Sequence, residues 1–275
     1  MDPKRRNFRI LIRTLVSTFL LLGLITSVPA QEFWMQPEKF THTQGDNLEV
    51  NFRSGDNLMG EPWDIESRQI ESLEMRQLGS TRDLSGFVKN TGEGALEIPL
   101  TREGTHLLLM RCKNELTEWK AAEFNVRLKE NGLDEIYDFR RQANALATAS
   151  KESQSRYTKL IIQVGNQTDN TFKQDTGYPL EIIPERNPYS LKKGDPIRFT
   201  ILFEGKPLFG IKVKILNRYD HRTTIQNIYT EKNGMMETHI SNPGTWMVSV
   251  VKMVPSGKEG AEWQSFQHTL VFGVE

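Results

Sequence analysis

Residues 159–215 read KLIIQVGNQTDNTFKQDTGYPLEIIPERNPYSLKKGDPIRFTILFEGKPLFGIKVKI. Between residues 196 and 203 the apolar side chains Ile197, Phe199 and Ile201 alternate with mostly polar neighbours, which is the pattern of a strand with one buried face. Turn-forming residues follow at 204–207, and the alternation resumes at residue 211. The stretch therefore predicts two β-strands that are joined either by a hairpin or by a corner crossing between two sheets.

A resemblance to a known family rests on three motifs. They are GYPLEIIPERNPYSLKKGD at residues 177–195, GKPL at residues 205–208 and GTW at residues 244–246. These motifs resemble a bacterial periplasmic family of unknown function whose members are often described as nickel-uptake components, and the match runs from EFW at residues 32–34 to WQS at residues 263–265. The resemblance implies a transition metal ion, nickel or cobalt, as a possible cofactor, and an envelope transporter or receptor as a possible partner.

The first thirty residues have the layout of a secretory signal peptide. Lys4, Arg5 and Arg6 precede an apolar run at residues 15–25, and small residues stand before a possible cut after Ala30. The alternative is an uncleaved anchor, but spanning a bilayer takes about 20 apolar residues and this run is shorter. We therefore expect residues 1–30 to be a signal peptide, the protein to be periplasmic or secreted, and no stable membrane span to remain after cleavage.

The composition argues against a nucleic-acid-binding function and indicates what must stabilise the fold. Cleavage after Ala30 removes five of the 35 basic residues and one of the 35 acidic ones, which leaves a net charge of −4. No basic patch interleaved with aromatic residues is present, so no nucleic-acid partner is expected. Cys112 is the only cysteine, so no internal disulfide can form and a packed core must supply stability. Its apolar neighbours indicate a buried, unreactive thiol.

The pattern of strands and turns predicts an all-β fold of two β-sandwich domains. Residues 31–128 show short alternating runs separated by glycines, which is typical of a sandwich. Residues 129–158 are rich in Ala, Glu, Gln and Arg, and apolar spacing predicts a helix over about residues 133–149 in this linker. Residues 159–275 are predicted to form the second sandwich, whose motif order resembles transthyretin-like (prealbumin-like) domains.

One sequence pattern occurs in both halves of the chain. An aromatic residue, four intervening residues, Gly-Asp and two alternating apolar residues are found at residues 40–50 and again at residues 189–199. Either a duplicated sandwich or a chance recurrence of common turn-forming residues would explain the repeated pattern.

The chain carries none of the local motifs that mark common catalytic sites. We find no nucleophile elbow, glycine-rich phosphate loop, CxxC, HExxH or calcium loop in the sequence. We therefore expect a protein that is not an enzyme.

The resemblance also implies a metal site, which this chain changes at two places. Members of the family begin the mature chain with His-Glu-Phe-Trp-Leu and carry a second histidine in the strand that follows the Gly-x-Trp motif, where a terminal amine, amide nitrogens and imidazole suit nickel or copper. Here Gln31 and Lys252 stand at those positions. The candidate metal ligands are therefore Gln31, Glu32 and His268, with His268 placed beside the N-terminus by the resemblance. The alternative for His268 is a hydrogen-bonded core histidine.

The tryptophans offer a second kind of surface. A row of exposed aromatic rings would bind sugars, although large aromatic residues in sandwiches are more often part of the core. Trp246 shares a predicted face with Val248 and Val250, which favours the core, whereas Trp34 and Trp63 flank turns and are the better candidates for exposure. We expect a non-enzymatic binding or accessory protein linked to nickel or cobalt uptake; the alternative is a carbohydrate- or protein-interaction module of a cell-envelope complex.

Overall fold

A computed structural model describes residues 31–63, 69–89 and 95–275. The predicted signal peptide lies outside these residues. Within them the chain forms three β-sheets and two α-helices, so the predicted all-β, sandwich-like fold class is confirmed. No helix in the described part of the chain is long and apolar enough to cross a bilayer.

The strands are numbered β1 to β19 in chain order and fall into three sheets. The N-sheet holds β1 (Glu32–Pro37), β3 (Asn47–Asp56), β4 (Met59–Pro62), β7 (Val88–Lys89) and β8 (Ala95–Pro99). The central sheet holds β2 (Thr41–His42), β5 (Ile70–Gln77), β6 (Ser80–Asp83), β9 (Gly104–Cys112), β10 (Glu115–Trp119), β11 (Ser150–Val164), β15 (Lys212–Tyr219), β16 (Arg222–Tyr229), β18 (Gly244–Pro255) and β19 (Trp263–Val274). The C-sheet holds β12 (Leu180–Pro184), β13 (Pro196–Phe203), β14 (Lys206–Pro207) and β17 (Met235–His239).

The central sheet is covered on both faces. Its main path runs β16-β15-β18-β19-β11-β9-β5-β6, with β11 and β19 paired in parallel. Because side chains alternate across a strand, Leu160 and Ile162 of β11 join the core under the N-sheet, whereas Ile161 joins the core under the C-sheet. The molecule is thus two sandwiches that share their middle layer.

The predicted domain borders do not coincide with the ends of these elements. Strands from residues 31–128 and from residues 159–275 lie in the same central sheet, and β11 begins inside the predicted linker 129–158. The division into domains at residues 31–128 and 159–275 stays a prediction.

The first helix, α1 (Ala121–Glu130), corrects a strand prediction. The alternation of Phe124, Val126 and Leu128 indicated a strand, but Phe124 and Leu128 are also four residues apart, so both lie on the buried face of a helix while Val126 is exposed. Arg127 on that face forms a buried ion pair with Glu152 of β11, with Arg127 Nη2 2.9 Å from Glu152 Oε1. This pair and the apolar face fix the helix on the central sheet.

The second helix, α2 (Asp134–Gln142), is shorter than predicted. It begins where the spacing of Leu133 and Ile136 indicated, but it ends seven residues before position 149. Asn144 adopts a left-handed conformation with φ of 55°. Arg140 donates hydrogen bonds to the carbonyl oxygens of Ala145 (2.8 Å) and Thr148 (2.6 Å), which hold the chain in a turn before β11.

The opening stretch folds as its pattern predicted. β13 spans the predicted residues and forms a short hairpin with β14, after which the chain crosses to β15 of the central sheet, so both predicted kinds of connection occur. The final strand differs from expectation. Within the predicted second sandwich, the apolar run at residues 266–274 suggested a strand that closes the sheet, but β19 lies between β18 and β11 in the middle of the central sheet.

The sequence pattern that recurs at residues 40–50 and 189–199 forms the same kind of turn at both places. Gly45 and Gly194 have φ of 96° and 94°, values that favour glycine. The following Asp46 and Asp195 each accept a hydrogen bond at Oδ2 from the amide three residues earlier, at 3.0 and 3.1 Å. The turns lead into β3 of the N-sheet and β13 of the C-sheet, so the two outer layers begin alike.

Candidate functional site

A groove lined in part by Lys214, the ion-pair partner of Glu32, is the candidate site, because Glu32 is a predicted ligand that has an unsatisfied carboxylate oxygen. Its volume is about 340 Å³. We call it the β1 groove; its lining comprises Asp56, Asn57, Glu130, Lys212, Lys214, Ile225 and Asn227. Lys214 also reaches Glu32 at the start of β1, with Lys214 Nζ 2.5 Å from Glu32 Oε1. The other carboxylate oxygen of Glu32, Oε2, is buried and has no hydrogen-bond partner.

Side chains of β19 position the start of β1. Gln267 Nε2 donates to the Gln31 carbonyl oxygen at 3.1 Å, and Thr269 Oγ1 donates to the Phe33 carbonyl oxygen at 2.8 Å. On its other side β1 pairs with β3 in antiparallel register. Glu32 is consequently only 2% exposed although it opens the first strand.

Burial disfavours the charged forms of several ionisable side chains at the β1 groove. Desolvation raises the pKa of Glu32, although Lys214 opposes the shift, and desolvation also raises the pKa of Asp56. Desolvation lowers the pKa of Lys212, whose ammonium donates to the Glu130 carbonyl oxygen at 2.9 Å. Because the charged forms of these carboxyls are disfavoured, a further cation in the groove would stabilise their anions.

His268 does not join this groove. It lies between Gln267 and Thr269 on β19, and successive residues of a strand point to opposite faces. Its ring therefore faces the C-sheet, where Nδ1 lies 2.7 Å from the Leu180 carbonyl oxygen. Gln31 and Glu32 are adjacent in sequence at the start of β1, and their side chains have different partners, Ser54 and Lys214; the structure does not place His268 with either of them.

His268 belongs instead to a sealed polar cluster inside the second sandwich. Lys159 Nζ lies 3.3 Å from Glu181 Oε1, and the rings of Tyr157 and Tyr178 pack against the imidazole with centroids 6.3 and 5.7 Å away. Desolvation, with the nearby Lys159 charge, lowers the pKa of His268 well below its usual value. The Leu180 carbonyl only accepts, so Nδ1 carries the proton of a neutral ring and Nε2 has no partner.

The remaining histidines are dispersed. His106 is buried, with Nδ1 3.1 Å from the Gly104 carbonyl oxygen. His42 is buried beside Asp46, with Nδ1 3.7 Å from Oδ2. His221 and His239 are exposed. In the described ranges, no three residues of the types His, Cys, Asp and Glu form a group that could hold a metal ion.

A larger polar crevice lies where β2 pairs with the end of β11. Its volume is about 630 Å³. Hydroxyl, amide and carboxylate groups dominate its lining, which comprises Lys39, Thr41, His42, Thr43, Glu103, Gln163, Gly165, Asn166, Thr168, Pro188, Tyr189, Leu191, Val274 and Glu275. The sequence predicted no such crevice, because the five segments that form it are distant from one another along the chain.

The tryptophans do not form an exposed platform within the described residues. Trp34 is 1% exposed in the core under the N-sheet, so the prediction of its exposure is wrong. Trp63 is half-buried against Phe33, with ring centroids 5.3 Å apart. Trp246 is buried as its neighbours indicated. Cys112 is also buried as predicted, and burial raises its pKa to about 12.

Comparison with known proteins gives a family but no function. A model of a domain of unknown function, DUF4198, matches residues 28–253. This chain belongs to the DUF4198 family. That description names no metal and no transport process. No curated protein matches the chain.

Solved structures share only general features with this DUF4198 chain. Dimeric latent PorU from Porphyromonas gingivalis is 11% identical, with 93% of this chain and 21% of that chain covered and a TM-score of 0.21. Escherichia coli alpha-2-macroglobulin activated by porcine elastase is 8% identical, with 87% and 20% covered and a TM-score of 0.22. The two tandem V-type regions of the chitin-binding protein VCBP3 are 8% identical, with 87% and 98% covered and a TM-score of 0.23. The chain spans about a fifth of PorU and of the macroglobulin, and these likenesses carry no functional argument.

Sequence reasoning missed the charged residues that pair in both sandwiches. Lys159 lies on the same face of β11 as Tyr157 and Ile161, which belong to the core. A charged residue at a core-facing position of a strand indicates a buried partner, so this pair could have been predicted. Lys214 alternates with Val213 and Ile215 and looks like an ordinary solvent-facing residue. Its link to Glu32 depends on residues 182 positions apart, which no local pattern shows.

Proposed function

We propose that this protein is exported to the periplasm or secreted, with residues 1–30 as its signal peptide, and serves as a non-enzymatic binding or accessory component of transition-metal uptake. Nickel or cobalt is the proposed metal, and an envelope transporter or receptor is the proposed partner. The family resemblance supports the link to uptake, and the β1 groove supports a role in binding.

The observation that carries the proposal is the unpartnered Oε2 of Glu32. A cut after Ala30 would leave a free amine on Gln31, one residue before this carboxylate. The Asp56 carboxyl group is near enough to Glu32 to contribute to the raised pKa of Glu32. Amine nitrogen and carboxylate oxygen are acceptable ligands for nickel and cobalt. Cyclisation of Gln31 to pyroglutamate would remove the amine and weaken the site.

Calorimetric titration with nickel chloride and cobalt chloride tests the proposal on protein that begins at Gln31, with the free amine verified by mass spectrometry. We expect saturable binding of one ion, weakened about ten-fold or more, equivalent to about 1.4 kcal/mol, by Glu32→Gln and by an added N-terminal alanine. Glu49→Gln is the matched control, since Glu49 is an exposed carboxylate on β3. Absence of binding, or equal loss in the control, would overturn the metal role.

The second candidate is a carbohydrate- or protein-interaction module of a cell-envelope complex. The polar crevice favours its carbohydrate form, because hydroxyl and amide groups line it and the ring of Tyr189 is partly exposed at its wall. A titration with N-acetylglucosamine oligomers, followed by amide NMR shifts, tests this candidate. Shifts confined to residues around Asn166 and Thr168 would support it, and a spectrum without shifts would reject this ligand class.

A further inference from the structure

The outermost strand of the central sheet, β16, is an open edge. It pairs with β15 along its full length of eight residues, and its other side has no backbone partner among the described residues. Six of its eight residues are exposed. Ile225 is 43% exposed and Tyr229 is 55% exposed. The strand therefore presents a row of unpaired amide and carbonyl groups together with apolar side chains.

The opposite edge of the same sheet shows how such an edge is normally protected. β6 has only four residues, and Arg82 and Asp83 are two of them. Short length and charge discourage pairing with another chain. From residue 223 to residue 229 β16 reads TTIQNIY, with no charge, no proline and no glycine. Its composition is that of a segment that pairs readily with a further strand.

We propose that β16 pairs with β16 of a second copy of this chain, antiparallel about a two-fold axis, so that the two central sheets become one. A two-fold interface uses the same patch on both copies, so each strand must be complementary to itself. β16 meets this condition because its uncharged stretch faces an identical stretch. Its one charge, Arg222, is the first residue of the strand and lies away from the centre of the pairing.

The pairing leaves the inner contacts of β16 intact. Gln226 Oε1 accepts a hydrogen bond from Thr238 Oγ1 of the C-sheet at 2.8 Å, and Ile228 packs on the core under the C-sheet. Both side chains already hold the strand in place, so the second copy meets a preformed edge. Ile225 and Asn227 face the other way and line the β1 groove. The dimer would place the two grooves side by side on one face of the joined sheet.

Sedimentation velocity of the exported form, over a range of micromolar concentrations, measures the association. We expect a dimer whose dissociation constant rises about ten-fold or more in Ile225→Lys, because a lysine on an edge strand must be desolvated against its copy. Leu116→Lys is the control. Leu116 is 61% exposed on β10, a different strand of the same sheet, and its substitution should leave the dimer unchanged.

Disulfide trapping tests the geometry independently of charge. Because Cys112 is buried, single cysteines placed in turn at residues 223 to 227 should report only on β16. We expect mild oxidation to cross-link the variants nearest the two-fold axis, at Ile225 or Gln226, and circular dichroism to show that the variants fold. A monomer at all concentrations, a dimer unaffected by Ile225→Lys, or cross-links without positional preference would overturn the proposal.

Discussion

Two lysine–glutamate pairs lie on opposite faces of the central sheet and differ in their access to solvent. Lys159 and Glu181 under the C-sheet have side chains 1% and 5% exposed, whereas Lys214 and Glu32 beside the N-sheet are 21% and 3% exposed. The first pair is sealed by packed rings and strands. The second opens through its lysine into the β1 groove. A lysine–glutamate pair is thus fully enclosed in one layer, whereas in the other layer the lysine of the pair is accessible to a ligand from the groove.

The largest effect should come from breaking the sealed pair. Glu181→Leu leaves the Lys159 ammonium buried without its partner, which typically costs about 3–5 kcal/mol. The double variant Lys159→Met, Glu181→Leu removes both charges and should recover most of that loss. Urea unfolding measures both free energies, and the exposed pair Arg198–Glu237 supplies a control worth about 0–1 kcal/mol. A single-variant loss no larger than that of the control would contradict the comparison.

Breaking the open pair should cost less. Lys214→Met leaves the Glu32 carboxyl without its donor, and an unsatisfied buried group costs about 1–3 kcal/mol. The carboxyl can escape this cost by binding a proton, since burial already raises the pKa of Glu32. A raised folded-state pKa contributes stability that is present at low pH and lost as the pH rises through it. The deficit of Lys214→Met relative to the parent should therefore shrink as the pH falls from neutral towards that pKa, and a deficit that grows would reject this account.

The smallest effect should appear in the pH dependence of the sealed layer. Burial lowers the pKa of His268, so the unfolded chain binds a proton near pH 6.5 that the folded chain does not. A depressed folded-state pKa contributes stability that is present above the unfolded pKa and lost as the pH falls, by up to about 1.4 kcal/mol per pH unit. His268→Gln should flatten the slope of unfolding free energy below pH 6.5 by up to that amount. His239→Gln, at an exposed position, should leave the slope unchanged.

Much of the layered fold was accessible to sequence reasoning because strand periodicity is local. β13 matched its predicted run, and both Gly-Asp turns were visible as a repeated sequence pattern. The pattern failed at Phe124 and Leu128, where spacing fits both a strand and a helix. There the buried pair of Arg127 with Glu152 decides in favour of the helix.

The candidate site was only partly predictable. Gln31 and Glu32 were identified through the family resemblance, and Glu32 is linked to the β1 groove through its ion pair with Lys214. The family resemblance also predicted His268 as a ligand. Its position on the same face of the strand as Leu270 and Phe272 indicated a core residue instead. Lys214 was missed because its partner lies on a strand from the other half of the chain.

The position of β19 has a consequence for the order of folding. It is the last strand of the chain, yet it lies in the middle of the central sheet and contributes side chains to both cores. Its Thr269 bonds to Thr158, 111 residues earlier. Neither sandwich can close during synthesis until these final residues emerge, and contacts of such long range make folding slow. Until β19 has been synthesised, the strands on either side of it, β18 and β11, lack a shared neighbour and their apolar side chains stay exposed.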